Sequence, residues 1–139
     1  MSGNGTRSGL VGLVLVSHSA AIASGLAELV AQVAGPDVPI VTAGGGPDGS
    51  FGTDGVKVLH ALRRAAVDPG AVVLMDLGSA VLSVRVALGD LVEEERERLS
   101  VVDAPFVEGA IAAGVAASMG KPIDEVAAAA REARDAVKL

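Results

Sequence analysis

The chain alternates between short apolar runs and longer stretches in which apolar residues recur every three or four positions. The runs contain few polar residues, as is typical of strands that are buried on both faces. They lie at residues 10–16, 38–43, 71–76 and 99–103. The stretches between them have the period of amphipathic helices. The pattern therefore predicts strands and helices in strict alternation.

Five helices are predicted from the periodic stretches and from the residues that start and stop them. They span 19–34, 54–66, a segment opened by 77–79, 106–119 and 123–137. Thr53 or Asp54 is suited to cap the second helix. The charge run at 93–98 is expected to be a solvated helix end or loop. In the third helix we expect four apolar side chains to face the core: Val81, Leu82, Val86 and Leu88.

This alternation predicts an α/β domain, because parallel strands are joined by helical crossovers. We expect an open, doubly wound, mainly parallel sheet with helices on both faces. Residues 10–139 would form this single domain, and the Gly- and Ser-rich residues 1–9 would be a disordered tail. In such sheets ligands bind beyond the carboxyl ends of the strands, where the strand order reverses.

Composition narrows the classes of function that remain. The formal net charge of −6 argues against nucleic acid, because binding to a phosphate backbone needs a basic surface. No apolar stretch approaches the roughly 20 residues that a membrane-spanning helix needs. The start of the chain only loosely imitates a secretory signal, since its apolar run is short and soon meets a histidine. We therefore expect a cytoplasmic protein that binds neither nucleic acid nor membrane.

Polar and glycine-rich residues gather at the carboxyl ends of the predicted strands, which lie on one edge of the sheet. His18 stands there, between a buried strand and a helix N-terminus. No metal site is expected, because cysteine is absent and the other histidine, His60, lies within a helix. A G-x-S-x-G elbow is also absent from the sequence. His18 remains a candidate general acid or base, or a nucleophile itself.

Phosphoryl transfer suits a histidine nucleophile at this position, because free N–H groups at a helix N-terminus hold phosphate oxygens. Ser19 follows His18, and Gly78 and Ser79 open the third helix at the same edge. Asp76 is placed to accept a hydrogen bond from the ring of His18 and to orient it. A plain helix cap at Asp76, and a structural histidine at His18, fit the local pattern as well.

A glycine-rich segment, residues 44–52, follows the second strand and is called the glycine loop here. Gly44, Gly46 and Gly49 match G-x-G-x-x-G, but no helix follows at once, as it does in a dinucleotide site. Ser50 stands where a Walker A loop has its lysine. We expect a mobile loop over the pocket and no nucleotide or other cofactor on this chain. Phosphate would then arrive from one protein and leave to another.

Four short motifs occur in order over about residues 10–130: VSHS, GTD, MDLGSA and APxVEGA. The segments that contain them are LVLVSHSAAIASGLAELV, GGGPDGSFGTDGVKVLHAL, VVLMDLGSAVLSVRVAL and DAPFVEGAIAAGVAAS. Together they resemble mannose-type EIIA domains of the bacterial sugar phosphotransferase system, in particular the phosphotransfer subunits of dihydroxyacetone kinase. The resemblance implies an open α/β sheet, a homodimer and a phosphorylated histidine at His18. It also implies that five other residues border His18: Thr53, Asp54, Asp76, Gly78 and Ser79.

A phosphate relay is the function that this resemblance implies. His18 would accept phosphate from the carrier protein HPr and pass it to ADP on the DhaL subunit. The ATP so formed would phosphorylate dihydroxyacetone on the DhaK subunit. Because some relatives carry HPr-like and enzyme-I-like domains after this part, separate proteins are expected to supply phosphate to this chain. Three alternatives stay open: the EIIA domain of a sugar permease, a regulator that transfers nothing onward, and a small-molecule binding module that uses the glycine loop.

Overall fold

A sheet of four parallel strands forms the centre of the computed structural model, which describes residues 9–139. The strands are β1 (Gly12–Ser17), β2 (Ile40–Gly44), β3 (Ala71–Met75) and β4 (Leu99–Val101). Their order is β2-β1-β3-β4, and all neighbouring pairs are parallel. The predicted disordered tail lies outside the described residues, except for Gly9. The strand order confirms the prediction of a parallel, doubly wound sheet.

Helices cover both faces of this sheet, as the sequence pattern predicts. They are α1 (Ala20–Ala34), α2 (Gly55–Ala65), α3 (Gly78–Gly89), α4 (Glu93–Glu97), α5 (Phe106–Ser118) and α6 (Ile123–Glu132). Buried residues of α1, α5 and α6 form a core on one face, and those of α2 and α3 form a core on the other. A short 3-10 helix, Ala133–Asp135, follows α6.

Strand β1 contributes to both of these cores. Successive side chains of a strand point to opposite faces of the sheet. Leu13 and Leu15 accordingly join the core with α1, α5 and α6, whereas Val14 and Val16 join the core with α2 and α3. All four side chains are completely buried. This is why the run is apolar throughout and does not alternate with polar residues.

Helix α3 buries a different face from the one predicted. Leu82 and Val86, expected in the core, are 62% and 70% exposed. Val81 and Leu88 are half-buried. The helix is apolar on nearly every side, so its sequence pattern does not select one face. The fully buried positions have mostly small side chains, which let the helix lie close to the sheet: Ala80, Val84 and Ala87.

Other element boundaries differ from the prediction by a few residues. The charge run contains a short helix, α4, that has no buried residue, which agrees with the expected solvated segment. β4 ends at Val101 and not at 103, and α6 gives way to a 3-10 helix after Glu132. Among residues 9–139, no helix combines the length and the apolar character needed to cross a membrane.

The strand order reverses between β1 and β3. The chain passes from β1 outward to β2 and then returns across β1 to β3. Helix α1 leaves β1 on one face of the sheet, and α3 leaves β3 on the opposite face. Two helices that diverge in this way open a crevice at the carboxyl ends of their strands. His18 and Asp76 directly follow these two strands and therefore lie in the crevice.

Candidate functional site

His18 and Asp76 form a hydrogen-bonded pair at the centre of the crevice. Val16 of β1 lies beside Met75 of β3, so the two strands end almost level with each other. This register brings the ring Nδ1 of His18 to 2.9 Å from Oδ1 of Asp76. The two side chains are 20% and 12% exposed. The pair is thus sheltered by the fold, while the ring can still be reached from solvent.

Asp76 accepts four hydrogen bonds, two on each carboxylate oxygen. Besides the ring of His18, Oδ1 accepts the N–H of Leu77 at 2.6 Å. Oδ2 accepts the hydroxyl of Ser17 at 2.7 Å and the backbone N–H of His18 at 3.0 Å. Burial alone would raise the pKa of the carboxyl, but these hydrogen bonds outweigh it and leave the pKa of Asp76 below its ordinary value. The carboxylate is therefore ionised at neutral pH.

The ionised carboxylate determines which nitrogen of the neutral His18 ring carries the proton. A carboxylate can only accept hydrogen bonds, so Nδ1 must be the donor to Asp76. The lone pair of Nε2 is then available as an acceptor or as a nucleophile. In the resting site the hydroxyl of Ser79 donates to Nε2. Nε2 is thus the ring nitrogen whose lone pair is not engaged by the carboxylate, and its use as a nucleophile stays a prediction.

The N-terminus of α3 lies beside Nε2. Leu77 occupies the N-cap position, and within the described residues no side chain caps this helix. The N–H groups of Gly78 and Ser79 lie in the first turn, where a helix offers its N–H groups no acceptor of its own. Such N–H groups, together with the positive end of the helix dipole, attract phosphate oxygens. The structure thus brings Ser79 into contact with His18 and places Gly78 in the same turn.

The other predicted pocket residues make contacts of a different kind. The hydroxyl of Ser19 caps α1 by accepting a backbone N–H of its first turn at 3.2 Å. Asp54 caps α2 by accepting the N–H of Val56 at 3.0 Å. The hydroxyl of Thr53 lies 2.5 Å from that of Ser83 in α3. A role for these three residues around a phosphoryl group stays a prediction.

The glycine loop reaches the site through its backbone. The N–H of Gly52 donates to the carbonyl of His18 at 2.9 Å. Inside the loop, the N–H of Gly46 donates to the carbonyl of Ser50 at 2.7 Å. Asp48 accepts the N–H and the hydroxyl of Ser50 at 3.1 and 2.5 Å. These bonds give the loop a defined shape next to His18, and its mobility stays a prediction.

Ser17 contacts the site although the sequence pattern did not single it out. It is the last residue of β1 and is completely buried. Its partner Asp76 lies 59 residues further along the chain, so only the folded structure shows the contact. The one local signal is a polar residue at a buried position directly before the histidine.

The second histidine, His60, lies within a helix and not at the end of a strand. His60 is exposed on α2. Within the part of the chain that the structure describes, no three His, Asp or Glu side chains are grouped so that they could hold a metal ion. What the site offers is one oriented imidazole beside a row of N–H donors. That arrangement can carry a group covalently on Nε2 of His18.

The fold and the site define a doubly wound α/β domain with an aspartate-oriented histidine at its topological switch point. The model of the EIIA-man family, described as the PTS system fructose IIA component, matches residues 12–127. This chain therefore belongs to the EIIA-man family. It is 43% identical, over 91% of its length, to a phosphoryl donor subunit DhaM of PEP-dependent dihydroxyacetone kinase from Providencia stuartii. A DhaM subunit of dihydroxyacetone kinase 2 from Listeria innocua is 37% identical over 76% of this chain and 85% of that protein.

Coverage differs among these relatives. The chain spans about a quarter of the DhaM proteins from Providencia stuartii and Escherichia coli, 27% and 25% of their lengths. Among solved structures, a protein of unknown function named EF1359 superposes with a TM-score of 0.81 and 35% identity, covering 94% of this chain and 97% of its own. A phosphotransferase system component EIIA from Streptococcus agalactiae gives a TM-score of 0.67 at 16% identity, covering 93% and 97%, and supports the fold alone.

Proposed function

We propose that this chain is a phosphohistidine relay that serves a dihydroxyacetone kinase. His18 accepts the phosphoryl group from phospho-HPr and passes it to ADP bound on a DhaL subunit. The ATP so formed phosphorylates dihydroxyacetone on a DhaK subunit. The observation that carries the proposal is the His18–Asp76 pair, with Nε2 facing Ser79 and the uncapped start of α3. The relatives named as phosphoryl donor subunits of dihydroxyacetone kinase support the choice of acceptor.

The first transfer uses the lone pair of Nε2. It attacks the phosphorus of the donor phosphohistidine, a new N–P bond forms, and the electron pair of the broken bond returns to the donor ring. The proton on Nδ1 stays between the ring and Asp76, which stabilises the positive charge that the phosphorylated ring acquires. In the second transfer, a terminal oxygen of ADP attacks the phosphorus and the lone pair returns to Nε2. The relay needs no cofactor on this chain, because the histidine itself carries the group.

Positioning supplies most of the catalysis in such a transfer. The Ser79 hydroxyl occupies the direction from which phosphorus must approach Nε2, so it has to rotate away first. Once rotated, it can donate to a phosphoryl oxygen together with the N–H groups of Gly78 and Ser79. The two N–H groups do not have to reorganise as charge develops, because the helix backbone already holds them in place.

The test of this proposal is the intact mass of the protein after incubation with phosphoenolpyruvate, enzyme I and HPr. We expect one acid-labile phosphate on the wild type and none on His18→Ala. His60→Ala is the matched control, since it removes the other, exposed histidine, and it should be labelled as fully as the wild type. Equal labelling of His18→Ala and wild type would contradict the proposal.

The same sample identifies the acceptor. Addition of DhaL, DhaK and dihydroxyacetone should remove the phosphate from His18 and yield dihydroxyacetone phosphate. The alternative acceptor is a sugar permease, with which the description of the family as a fructose IIA component is compatible. Phosphate that stays on the protein with the kinase subunits but leaves with a permease component would support that alternative. Phosphate that leaves with neither would indicate a regulator.

The quaternary structure and the location are part of the same proposal. A homodimer is the state that the resemblance to EIIA domains implies, and we propose it for this chain. Light scattering on a size-exclusion column measures the mass directly. A mass near twice the 13.7 kDa of the chain would support the dimer. We also propose that the relay works in the cytoplasm.

A further inference from the structure

The buried hydroxyl of Ser17 lies between two groups of the site. Its Oγ is 3.1 Å from the N–H of Ser19 and 2.7 Å from Oδ2 of Asp76. A backbone N–H can only donate, so Oγ is the acceptor in the first contact. An ionised carboxylate can only accept, so Oγ donates its proton in the second. Both hydrogen-bond directions of this hydroxyl are therefore fixed.

Ser17 differs from the other donors to Asp76, because it donates from a side chain other than that of His18. The carboxylate also receives the N–H groups of His18 and Leu77, which belong to the backbone. The ring of His18 is the group that the carboxylate has to orient. In the described part of the chain, the Ser17 hydroxyl is the remaining side-chain donor to Asp76. Without it, Oδ2 would keep one hydrogen bond, and rotation of the carboxylate about its soft terminal torsion would be less restrained.

We propose that Ser17 is a positioning residue for the phosphoryl relay, acting on the His18 ring through Asp76. It holds the carboxylate in the plane in which Oδ1 meets Nδ1, and so keeps the proton on Nδ1 and the lone pair on Nε2. This inference rests on the proposed function of His18. It adds a residue whose side chain makes no contact with the phosphoryl group.

Removal of the hydroxyl tests the proposal with two measurements. Ser17→Ala should slow phosphorylation by phospho-HPr about 10- to 100-fold, the usual cost of a displaced reacting group. In the unphosphorylated protein, nitrogen-15 NMR of the His18 ring should show a shift of the neutral ring toward the form protonated on Nε2. Ser100→Ala, which removes a strand serine of the same sheet paired with Val72, is the control and should change neither value.

Conservative variants separate positioning from a general loss of structure. Ser17→Thr retains a hydroxyl on the same carbon and should restore both the rate and the ring form. Ser17→Cys keeps nearly the same volume but offers only a weak S–H donor, so it should resemble Ser17→Ala. Far-UV circular dichroism and thermal unfolding check that each variant is folded. A folded Cys or Ala variant that reacts within twofold of the wild type would overturn the proposal.

The two measurements also distinguish this proposal from the relay on which it rests. If the wild type accepts no phosphate, the relay is wrong, and the NMR spectrum still reports whether Ser17 orients the ring. If the wild type is phosphorylated and Ser17→Ala slows the reaction without any change in the ring form, Ser17 does not act through the ring. That outcome would overturn the positioning role and leave the relay intact.

Discussion

Asp54 and Asp76 lie at similar places in the chain, but their carboxylates have different hydrogen-bond partners. Each lies at the carboxyl edge of the sheet just before a helix. Asp54 is the N-cap of α2, and its carboxylate accepts the N–H of Val56 in that helix. Asp76 stands one residue before the N-cap of α3, and most of its hydrogen bonds reach back to β1 and His18. A shift of one residue relative to the helix start thus separates an aspartate that caps its helix from one that hydrogen-bonds to the ring of His18.

The N-termini of α1, α2 and α3 also differ in whether a side chain caps them. The starts of α1 and α2 are capped by the side chains of Ser19 and Asp54. Within the described residues α3 has no such cap, so its first N–H groups remain available next to Nε2 of His18. An open helix start carries about half a positive charge. Of the three helix starts compared, the uncapped one is therefore the start that suits a phosphoryl group.

The largest expected effect comes from replacing Asp76, the residue proposed to orient the ring of His18. Asp76→Asn replaces one carboxylate oxygen by an NH2 group, which cannot accept the N–H donors that now surround it. We expect phosphorylation by phospho-HPr to slow by roughly 10²- to 10⁴-fold. Stopped-flow or quench-flow labelling measures the rate. Asp54→Asn is the matched control, since asparagine is an equally good cap, and its rate should stay within twofold of the wild type.

A smaller effect is expected at the open helix start itself. Ser79→Ala removes the hydroxyl beside Nε2 but leaves the N–H groups of the first turn in place. The rate should fall about threefold to tenfold, which corresponds to the loss of one ordinary hydrogen bond. Ser83→Ala is the control within the same helix, because its partner is the hydroxyl of Thr53. An equal loss in both variants would mean that the hydroxyl of Ser79 has no special role.

The fold of this chain was largely predictable, because each element has a strong local signal. Buried parallel strands need continuous apolar runs, and glycine and proline end most of the helices that follow. The face of α3 was not predictable, since a helix that is apolar all round has no preferred side in the sequence. Tertiary packing selected Ala80 and Ala87 for the sheet and left Leu82 and Val86 exposed.

The site was predictable only in part, for a similar reason. His18, Asp76 and Ser79 follow strand ends, and the rule for doubly wound sheets brings strand ends together. Contacts such as the one between Ser17 and Asp76 join residues 59 positions apart through the exact register of two strands. Sequence spacing carries no information on that register. A cap at Thr53 or Asp54 was predicted from the sequence, whereas the choice at Asp76 between a helix cap and a partner of His18 stayed open until the start of α3 was known.

The cap at Asp54 should affect stability and leave the rate unchanged. Asp54→Ala removes the acceptor for the N–H of Val56, which should lower the free energy of unfolding by about 1 kcal/mol. Urea unfolding followed by circular dichroism measures the change. The rate of phosphorylation should stay at the wild-type value in the folded protein. A rate loss as large as that of Asp76→Asn would show that both aspartates serve the site, and the contrast between them would not hold.

The smallest expected effect is a pH dependence of the free energy of unfolding that the carboxyl group of Asp76 causes. Hydrogen bonds keep the pKa of this carboxyl lower in the folded state than in the unfolded chain, despite burial. Its contribution to stability is therefore complete above the unfolded pKa, near 3.9, and is lost as the pH falls through the folded value. Asp76→Asn has no such carboxylate to titrate. The difference in the free energy of unfolding between wild type and Asp76→Asn should thus be largest near neutral pH and shrink below about pH 4. If this difference in the free energy of unfolding stays constant from pH 6 to pH 3, the four hydrogen bonds to Asp76 do not stabilise its ionised form, and the prediction is wrong.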